Sequence, residues 1–225
     1  MGLSDVMEDY LKAIFHLQHK SDDRIRTSDI AAELDVTPPT VTSMLDKLEE
    51  RILIDREKYY GVRLTESGET VALEVIRHHR LLETFLTERL DYDWSEVHEE
   101  ADRLEHHISE DFVERIEAAL GHPEIDPHGD PIPGVDLETP TARDTRAISE
   151  FAEEDVIIVE RISDRDPTVL EYLADRGIAI GSVLTIVEVA PFGMITVRTH
   201  DTDEMVALPE NVARHVRVAS SIEAV

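Results

Sequence analysis

The feature that most constrains this chain is the run from residue 94 to residue 108, WSEVHEEADRLEHHI. It contains neither Pro nor Gly and places Leu104 and Ile108 four residues apart, which predicts a helix with Ser95 as a plausible N-cap. At 100° per residue, four polar side chains then fall within roughly 100° of one another, beside an apolar stripe that must be buried. These side chains are His98, Asp102, Glu105 and His106.

Two imidazoles and two carboxylates on one helix face suit a borderline or hard divalent cation, and no thiolate takes part. The preceding helix is expected to add His79 and Glu83, which are four residues apart and share a face. Five of the eleven histidines lie between residues 78 and 107. The alternative is a solvated charged face, because Asp and Glu make up 50 of the 225 residues.

The first part of the chain has the pattern of a helix-turn-helix. An amphipathic helix is expected over residues 4–20, followed by two short helices in TSDIAAELDVTPPTVTSMLDKLEE with a break at Asp35. Thr27 is a candidate cap for the first helix, and Thr37 for the second, where Pro38 occupies the first helical position. The second helix would enter the major groove of DNA by its N-terminal residues. The alternative is an ordinary helical hairpin.

Residues 52–64, ILIDREKYYGVRL, predict a β-hairpin that would form a wing beside these helices. Small side chains at the start of the second helix can approach base edges, and basic side chains can contact phosphates. From residue 37 to residue 64 there are five basic and five acidic residues in a chain of net charge −28, so the acid excess lies elsewhere. A solvated hairpin is the alternative. The expected DNA contacts are Thr37, Pro39, Thr40, Ser43, Lys47, Arg56 and Lys58.

Composition bounds the class of protein. The absence of Cys excludes disulfides, thiolate zinc sites and cysteine nucleophiles, and no apolar run approaches the ~18 residues of a membrane span. The acidic N-terminus lacks the apolar segment of a secretory signal, so the expected compartment is the cytoplasm. Only four of the 22 basic residues are Lys. This acidic, Lys-poor composition predicts a folded protein of a halophile, working in salt that screens its self-repulsion.

The second half of the chain changes from a helical pattern to a pattern of short strands. A long helix is expected from Thr65 to about Leu90, and the helix of the ligand run is expected to continue to Leu120. Both helices suit either a dimer interface or packing within one chain. Residues 121–149 hold half of the ten prolines, which predicts an extended linker. From Asp155 onward, five short strands and one helix over residues 167–176, capped by Asp166, predict a small barrel.

In this order the motifs resemble those of the diphtheria toxin repressor family of metal-dependent transcriptional regulators, in its three-domain form. They are MEDYL, VTPPTVTSMLDKL, RHHRLLETFL, EVHEEADRLEHHISE, PHGDPIPG and GIAIGSVL. The resemblance implies a fold that is mainly α with a small β domain. A winged helix-turn-helix domain would cover residues 1–64, a helical metal-binding and dimerisation domain 65–120, a Pro-rich linker 121–149, and an SH3-like (FeoA-like) β-barrel domain 150–225.

The resemblance also implies two neighbouring metal sites in each subunit. One would be formed by His79, Glu83 and His98, and the other by Asp9, Asp102, Glu105 and His106. The iron-responsive branch has Met at position 9 and Cys at position 102, whereas the manganese-responsive branch has Asp and Glu there. The all-N/O set of this chain therefore favours Mn²⁺ over Fe²⁺.

Two departures from the manganese branch accompany this likeness. That branch has a ligand Glu where this chain has Lys12, and it lacks the third domain. In some relatives the third domain donates a metal ligand, for which Asp166 is the nearest candidate beside its expected role as an N-cap.

The function implied by the resemblance is that of a homodimer that binds double-stranded operator DNA when loaded with Mn²⁺ or Fe²⁺ and represses metal-uptake genes. Metal would join the first helix to the ligand helix and so match two recognition helices to successive major grooves. No catalytic residue and no membrane partner are expected. Two alternatives remain, a winged-helix regulator that senses an organic ligand and a dinuclear metal hydrolase, for which the sequence nominates no general base outside the ligands.

Overall fold

The computed structural model describes residues 2–20, 23–138, 144–164 and 166–221. The chain divides into two units, each with its own apolar core. Unit 1 comprises Met1–His79, Arg103–Ser109 and Pro133–Glu138, and unit 2 comprises Arg80–Asp102, Glu110–Ile132 and Thr139–Val225. Among the described residues, no helix combines the length and apolarity that crossing a membrane requires.

Unit 1 contains the predicted helix-turn-helix and hairpin. Its elements are α1 (Asp5–Gln18), α2 (Thr27–Glu33), α3 (Pro38–Glu50), β1 (Ile54–Glu57), β2 (Gly61–Leu64) and the first part of α4 (Glu66–Leu90). The turn between α2 and α3 passes through Asp35 at a φ of 49°, a left-handed conformation that Asp adopts more readily than most residues. Thr37 holds the N-cap position of α3, as predicted, whereas Arg26 rather than Thr27 holds that of α2.

The core of unit 1 is formed by the apolar stripes of its helices, whose members recur every three or four residues. Its fully buried side chains include Leu11, Ile14, Ile30, Leu45 and Leu48. At the start of α4, a Cβ on Gly68 would lie only 1.9 Å from the Leu53 carbonyl oxygen. The missing side chain therefore lets α4 begin directly against the residue that precedes β1.

The single helix predicted from residue 94 to residue 120 is wrong. Two helices, α5 (Val97–Leu104) and α6 (Glu110–Leu120), replace it. The His107 N–H donates to the Leu104 carbonyl at 2.9 Å, a short-range bond that tightens the end of α5. Acidic side chains then occupy the first turn of α6, where they favour a new helix start.

The start of α5 also differs from the prediction. Asp93, rather than Ser95, supplies the side chain that accepts hydrogen bonds before the helix. Oδ1 of Asp93 accepts hydrogen bonds from the backbone N–H of Ser95 at 2.9 Å and from its hydroxyl at 2.6 Å. The first helical turn is thereby displaced to Val97.

Unit 2 contains a six-stranded antiparallel sheet with the strand order β3-β8-β4-β5-β6-β7. The elements are β3 (Arg146–Ala147), β4 (Val156–Ile162), α7 (Pro167–Ala174), β5 (Val183–Val189), β6 (Ile195–Thr199), β7 (Met205–Leu208), α8 (Glu210–Ala213) and β8 (Val216–Ser220). The five predicted strands are present, and the two-residue β3 is an addition that no alternating pattern announced. Asp166 caps α7 as predicted, because its carboxylate accepts the Thr168 N–H at 3.1 Å.

A bulge in β4 shapes the surface on which the preceding segment packs. The pairing of β4 with β8 shifts between Val159 and Arg161, so that Val159 and Ile162 are both fully buried although they are three residues apart. Glu160 is therefore the extra residue. Its carbonyl oxygen would lie 2.0 Å from a Cβ on Gly129, whose φ is 87°. Glycine here lets the segment before residue 132 approach the strand closely.

The extended linker predicted over residues 121–149 is wrong for residues 124–132. Asp126, His128, Asp130 and Ile132 are buried, and the Ile162 N–H of β4 donates to the His128 carbonyl at 2.9 Å. The local cause is Asp126, whose Oδ1 accepts the backbone N–H groups of His128 at 2.8 Å and Asp130 at 2.9 Å. Residues 139–143 of the predicted linker lie outside the described part of the chain.

Candidate metal centres

Three ligand-type side chains converge in unit 1, and we call them the helix-anchored group: Asp9 of α1, and Glu105 and His106 of the turn after α5. Nε2 of His106 lies 3.0 Å from Oδ1 of Asp9 and 3.4 Å from Oε1 of Glu105. Each residue offers an atom within 4.8 Å of the others. Glu105 is fully buried whereas the carboxylate of Asp9 is 43% exposed, so the group reaches from the interior to the surface.

Further charged and polar side chains surround this group. Nδ1 of His106 lies 2.7 Å from Oε2 of Glu8. The two oxygens of Glu105 contact Lys12 Nζ at 2.7 Å and His79 Nδ1 at 2.5 Å. Both oxygens of Glu105 and both ring nitrogens of His106 therefore contact charged or ionisable neighbours.

The electrostatics of the helix-anchored group follow from burial and from these neighbours. Burial raises the pKa of Asp9, although His106 and Lys12 oppose the shift. Burial lowers the pKa of His106, but the hydrogen bond with Glu8 and the negative charges around it outweigh burial, so its pKa is raised. Negative charge thus predominates, as a cation site requires.

A second set of ligand-type side chains lies in unit 2, and we call it the strand-anchored group. Glu83 of α4 and Asp164, just after β4, both approach His98 of α5: its Nδ1 lies 3.1 Å from Oε1 of Glu83 and 3.3 Å from Oδ2 of Asp164. Asp102, one turn further along α5, has Oδ2 at 3.5 Å from Nε2 of His98.

The strand-anchored group includes two buried residues that the sequence did not nominate, Asp126 and His128. Both are close enough to Glu83 for the three to share one cation. Nδ1 of His128 lies 3.6 Å from Oε2 of Glu83, and both side chains have no exposed surface. The available signal was the Asp-x-His-x-Asp spacing within DPHGD, which has the two-residue period of a strand but consists of polar residues and falls among prolines.

The orientation of His128 suits a metal ligand. Its Nε2 lies 2.9 Å from the Trp94 carbonyl oxygen, an acceptor only, so Nε2 carries the proton and Nδ1 of the neutral ring presents its lone pair toward Glu83. Nδ1 makes no hydrogen bond although it is buried. Burial lowers the pKa of His128, but the Glu83 carboxylate and then Asp126 outweigh it and raise the pKa to about 9. The raised pKa favours a second proton on the ring, at Nδ1 beside Glu83, when no cation is bound there.

Asp126 lies in a strongly anionic environment. Burial, followed by the charges of Glu83 and Asp130, raises its pKa to about 7. Arg80 of α4 offsets part of this charge, with Nε 3.6 Å from Oδ2 of Asp126. Arg161 of β4 pairs with Asp130, with a nitrogen–oxygen distance of 2.7 Å. These contacts hold the segment, the helix and the strand of unit 2 together around the ligands.

Each predicted ligand set contains residues of both units. In the first set, His79 belongs to unit 1, whereas Glu83 and His98 belong to unit 2. In the second set, Asp9, Glu105 and His106 come together in unit 1, and Asp102 belongs to unit 2. The assignment of His79 and Asp102 to shared sites therefore stays a prediction. Asp164, rather than Asp166, is the residue after β4 that reaches the ligands.

Both groups fit a divalent cation by the chemistry of their donors. They offer imidazole nitrogen and carboxylate oxygen without sulfur, which suits Mn²⁺ and Fe²⁺. The buried Nδ1 of His128 without a hydrogen bond is a position that a cation would satisfy.

The predicted DNA contacts lie on the exposed face of unit 1. Exposed side chains on α3 are Pro39, Thr40, Ser43 and Lys47, and the N-cap residue Thr37 and the wing residue Lys58 are exposed as well. Arg56 differs, because it is half-buried and pairs with Asp46 of α3 at 2.5 Å. A cleft of about 670 Å³ separates the wing from the start of α2, and its lining includes Arg26, Ser28, Tyr59 and Tyr60, none of which is a predicted DNA contact.

Comparisons with protein families account for nearly the whole chain. Residues 2–62 match the iron dependent repressor N-terminal DNA binding domain. Residues 65–134 match the iron dependent repressor metal binding and dimerisation domain, and residues 146–220 match the FeoA domain.

Individual relatives give the same assignment. The iron-dependent repressor IdeR of Mycobacterium tuberculosis is 32% identical over 227 residues, covering 96% of this chain and 97% of that protein. A manganese-dependent transcriptional repressor solved in complex with manganese is 42% identical with a TM-score of 0.86, covering 95% and 99% of the two chains. The manganese regulator SloR is 32% identical with a TM-score of 0.76, covering 96% and 98%. With three domain matches in order, this chain belongs to the diphtheria toxin repressor and IdeR family of metal-dependent repressors.

Proposed function

We propose that this chain is a metal-dependent repressor that binds operator DNA as a homodimer and controls metal-uptake genes. The observation that carries the proposal is the helix-anchored group, in which Asp9 of α1 meets Glu105 and His106. Helix α1 packs in the same core as the helix-turn-helix. Because the ligands lie on α1 and on the turn after α5, metal binding would directly affect the position of α1 in the DNA-binding unit.

Mn²⁺ is the proposed metal, with Fe²⁺ as the alternative. The donors are nitrogen and oxygen alone, and Mn²⁺ prefers hard oxygen ligands more than the later transition metals do. The similarity to a manganese-dependent repressor supports this choice. The similarity to IdeR, which is named iron-dependent, supports the alternative, Fe²⁺.

Asp9 and Glu105 couple metal binding to DNA binding in this proposal. Asp9 and Glu105 repel each other, and this repulsion helps to raise the pKa of Asp9. When bound, a divalent cation supplies positive charge between these carboxylates. The metal binds more tightly when α1 and the turn are close together than when they are apart. This difference in metal affinity favours the close arrangement. Bringing α1 into one arrangement would fix α3 and the wing, which share its core, for DNA.

The strand-anchored group is proposed as the second metal site of each subunit, with Glu83, His98 and Asp164 as ligands and Asp126 and His128 as further candidates. Homodimer formation is supported by large apolar side chains that unit 2 exposes: Leu90, Tyr92 and Phe112 are 53%, 40% and 44% exposed. Exposed apolar side chains of this size commonly mark an interface.

The alternatives are an organic-ligand sensor and a dinuclear hydrolase. Family membership favours a regulator over an enzyme. A thermal melt of metal-free protein discriminates between metal and organic ligands, because a ligand that binds only the folded state raises the midpoint. Mn²⁺ should raise it, and EDTA should reverse the rise.

The test of the proposed function is DNA binding by metal-free protein, titrated separately with Mn²⁺, Fe²⁺, Zn²⁺ and Co²⁺ at molar KCl. The operator can be selected from random duplexes in the presence of Mn²⁺. Mn²⁺ should raise operator affinity roughly 5- to 150-fold, the usual range of allosteric coupling. DNA affinity that neither metal nor EDTA changes would contradict the proposal.

A further inference from the structure

Lys12 of α1 points into the helix-anchored group. Its Nζ lies 2.7 Å from Oε1 of Glu105, and the two side chains are 18% and 0% exposed. The chain has only four lysines, and Lys20 and Lys47 are exposed. One of the four lysines therefore places its ammonium group among candidate metal ligands. Lys12 lies one helical turn after Glu8 and Asp9 on α1.

This contact occupies an atom that a metal ion would use. Oε1 of Glu105 accepts from Lys12, and Oε2 lies 2.5 Å from Nδ1 of His79. A protonated lysine has three donors and no lone pair, so it cannot itself become a ligand. A divalent cation that binds Glu105 through Oε1 must displace the ammonium group or tolerate a like charge close by.

We propose that Lys12 is a built-in competitor of the metal, which holds Glu105 in the metal-free protein and must release Oε1 when the metal binds. This inference rests on the proposed function, because it concerns the same metal site. Lys12 thereby raises the metal concentration at which the repressor is switched on. Because Lys12 and Asp9 are on one helix, its release also changes how α1 is held against the turn that carries Glu105.

Competition and a purely structural role make opposite predictions. If Lys12 competes, Lys12→Met should bind Mn²⁺ roughly tenfold or more tightly, since a like charge beside the ion is removed. If Lys12 only stabilises the fold, the same change should lower the melting temperature and leave Mn²⁺ affinity unchanged or weaker. Lys12→Arg keeps the charge and should retain wild-type affinity within about threefold.

The experiment is a Mn²⁺ titration of the metal-stripped full chain in molar KCl, with free Mn²⁺ measured by electron paramagnetic resonance. Wild type, Lys12→Met, Lys12→Arg and Lys20→Met are compared, the last being a charge-matched control at an exposed position. Thermal melts with and without Mn²⁺ accompany each titration. If Lys12→Met fails to fold, Lys12→Gln keeps a donor for Glu105 and tests the same loss of charge.

The expected result is tighter Mn²⁺ binding for the neutral variants alone. Equal or weaker binding by a folded neutral variant overturns the inference while leaving the proposed function intact. A wild-type chain that binds no Mn²⁺ or Fe²⁺ overturns both, and operator binding that no metal changes identifies the proposed function as the cause of failure.

Discussion

The two candidate metal groups differ in what holds them. The helix-anchored group is formed by α1 and a short turn, and its Asp9 carboxylate is 43% exposed. The strand-anchored group is buried around Glu83 and His128, which have no exposed side-chain surface, and is tied to α4 and β4 by Arg80 and Arg161. A partly exposed ligand on a helix of the DNA-binding unit suits a switch, whereas buried ligands with paired charges suit a permanent structural site.

The largest effect is expected at His106, which contacts both Asp9 and Glu105. His106→Ala should abolish the dependence of operator binding on Mn²⁺, a loss of roughly 5- to 150-fold in affinity at saturating metal. The change removes a ligand, and the remaining carboxylates then repel each other. Fluorescence anisotropy of labelled operator measures it.

His107→Ala is the matched control, because His107 is the next residue and its side chain is 65% exposed. It should retain wild-type behaviour. Unchanged metal dependence in His106→Ala, in folded protein, would show that the helix-anchored group is not the switch.

A different kind of loss is expected at His128. His128→Ala should lower the free energy of unfolding of the metal-free protein by about 2–4 kcal/mol, because it leaves the buried Glu83 without its cationic neighbour. The Mn²⁺ midpoint for operator binding should move by less than about threefold, a shift below the usual allosteric coupling. Denaturant melts and DNA titrations measure the two quantities.

His122→Ala serves as the control for this change, since His122 is 72% exposed. If His128→Ala had normal stability but no longer bound the operator in response to Mn²⁺, the strand-anchored group would be the switch and not a structural site.

A smaller effect is expected for metal choice. Asp102→Cys replaces an oxygen donor by a softer thiolate, and should raise the ratio of Fe²⁺ to Mn²⁺ activation on the order of tenfold. Activation of DNA binding must be measured, because affinity alone favours the later metals in any N/O site. Identical activation profiles for the two proteins would remove Asp102 from the set that selects the metal.

The smallest effect is expected from salt, and it concerns the DNA-binding surface of unit 1. A protein that contacts about six to ten phosphates normally loses roughly 10³–10⁵ in DNA affinity when the salt concentration rises from 50 to 200 mM. The region from residue 37 to residue 64 is neutral and the chain carries −28, so few counterions can be released. Operator affinity should change little, or rise, between ~0.5 and ~2 M KCl.

Below that range, unscreened charge should weaken both folding and DNA approach. Circular dichroism at each salt concentration separates the two effects. A steep fall in affinity with rising KCl, in folded protein, would contradict the prediction that this acidic chain works at high salt.

Local patterns predicted the elements of this fold more reliably than the site. The stripes of α1 to α4, the Thr37-Pro38 start of α3 and the strands β4 to β8 all follow from spacing that neighbouring residues enforce. Asp9, Glu105 and His106 were also identified, but their grouping came from family resemblance, because sequence spacing alone does not bring residue 9 to residue 105.

The failures occurred where distant contacts override local preference. The break after Leu104 interrupts a run that contains no helix breaker. Asp126 and His128 are buried because Gly129 lets their segment approach β4, a contact that no pattern in PHGDPIPG reveals. The bulge at Glu160 likewise depends on β8, and it precedes the turn that brings Asp164 rather than Asp166 to His98.

In the proposed mechanism, a metal joins α1 to the turn containing Glu105 and His106, and this contact controls DNA binding. Amide hydrogen exchange of α1, measured with and without Mn²⁺, tests it most directly, because exchange reports local opening. We expect Mn²⁺ to slow exchange across Asp5–Gln18 in wild type and not in His106→Ala. Mn²⁺ that activates operator binding while α1 exchange stays unchanged would contradict it.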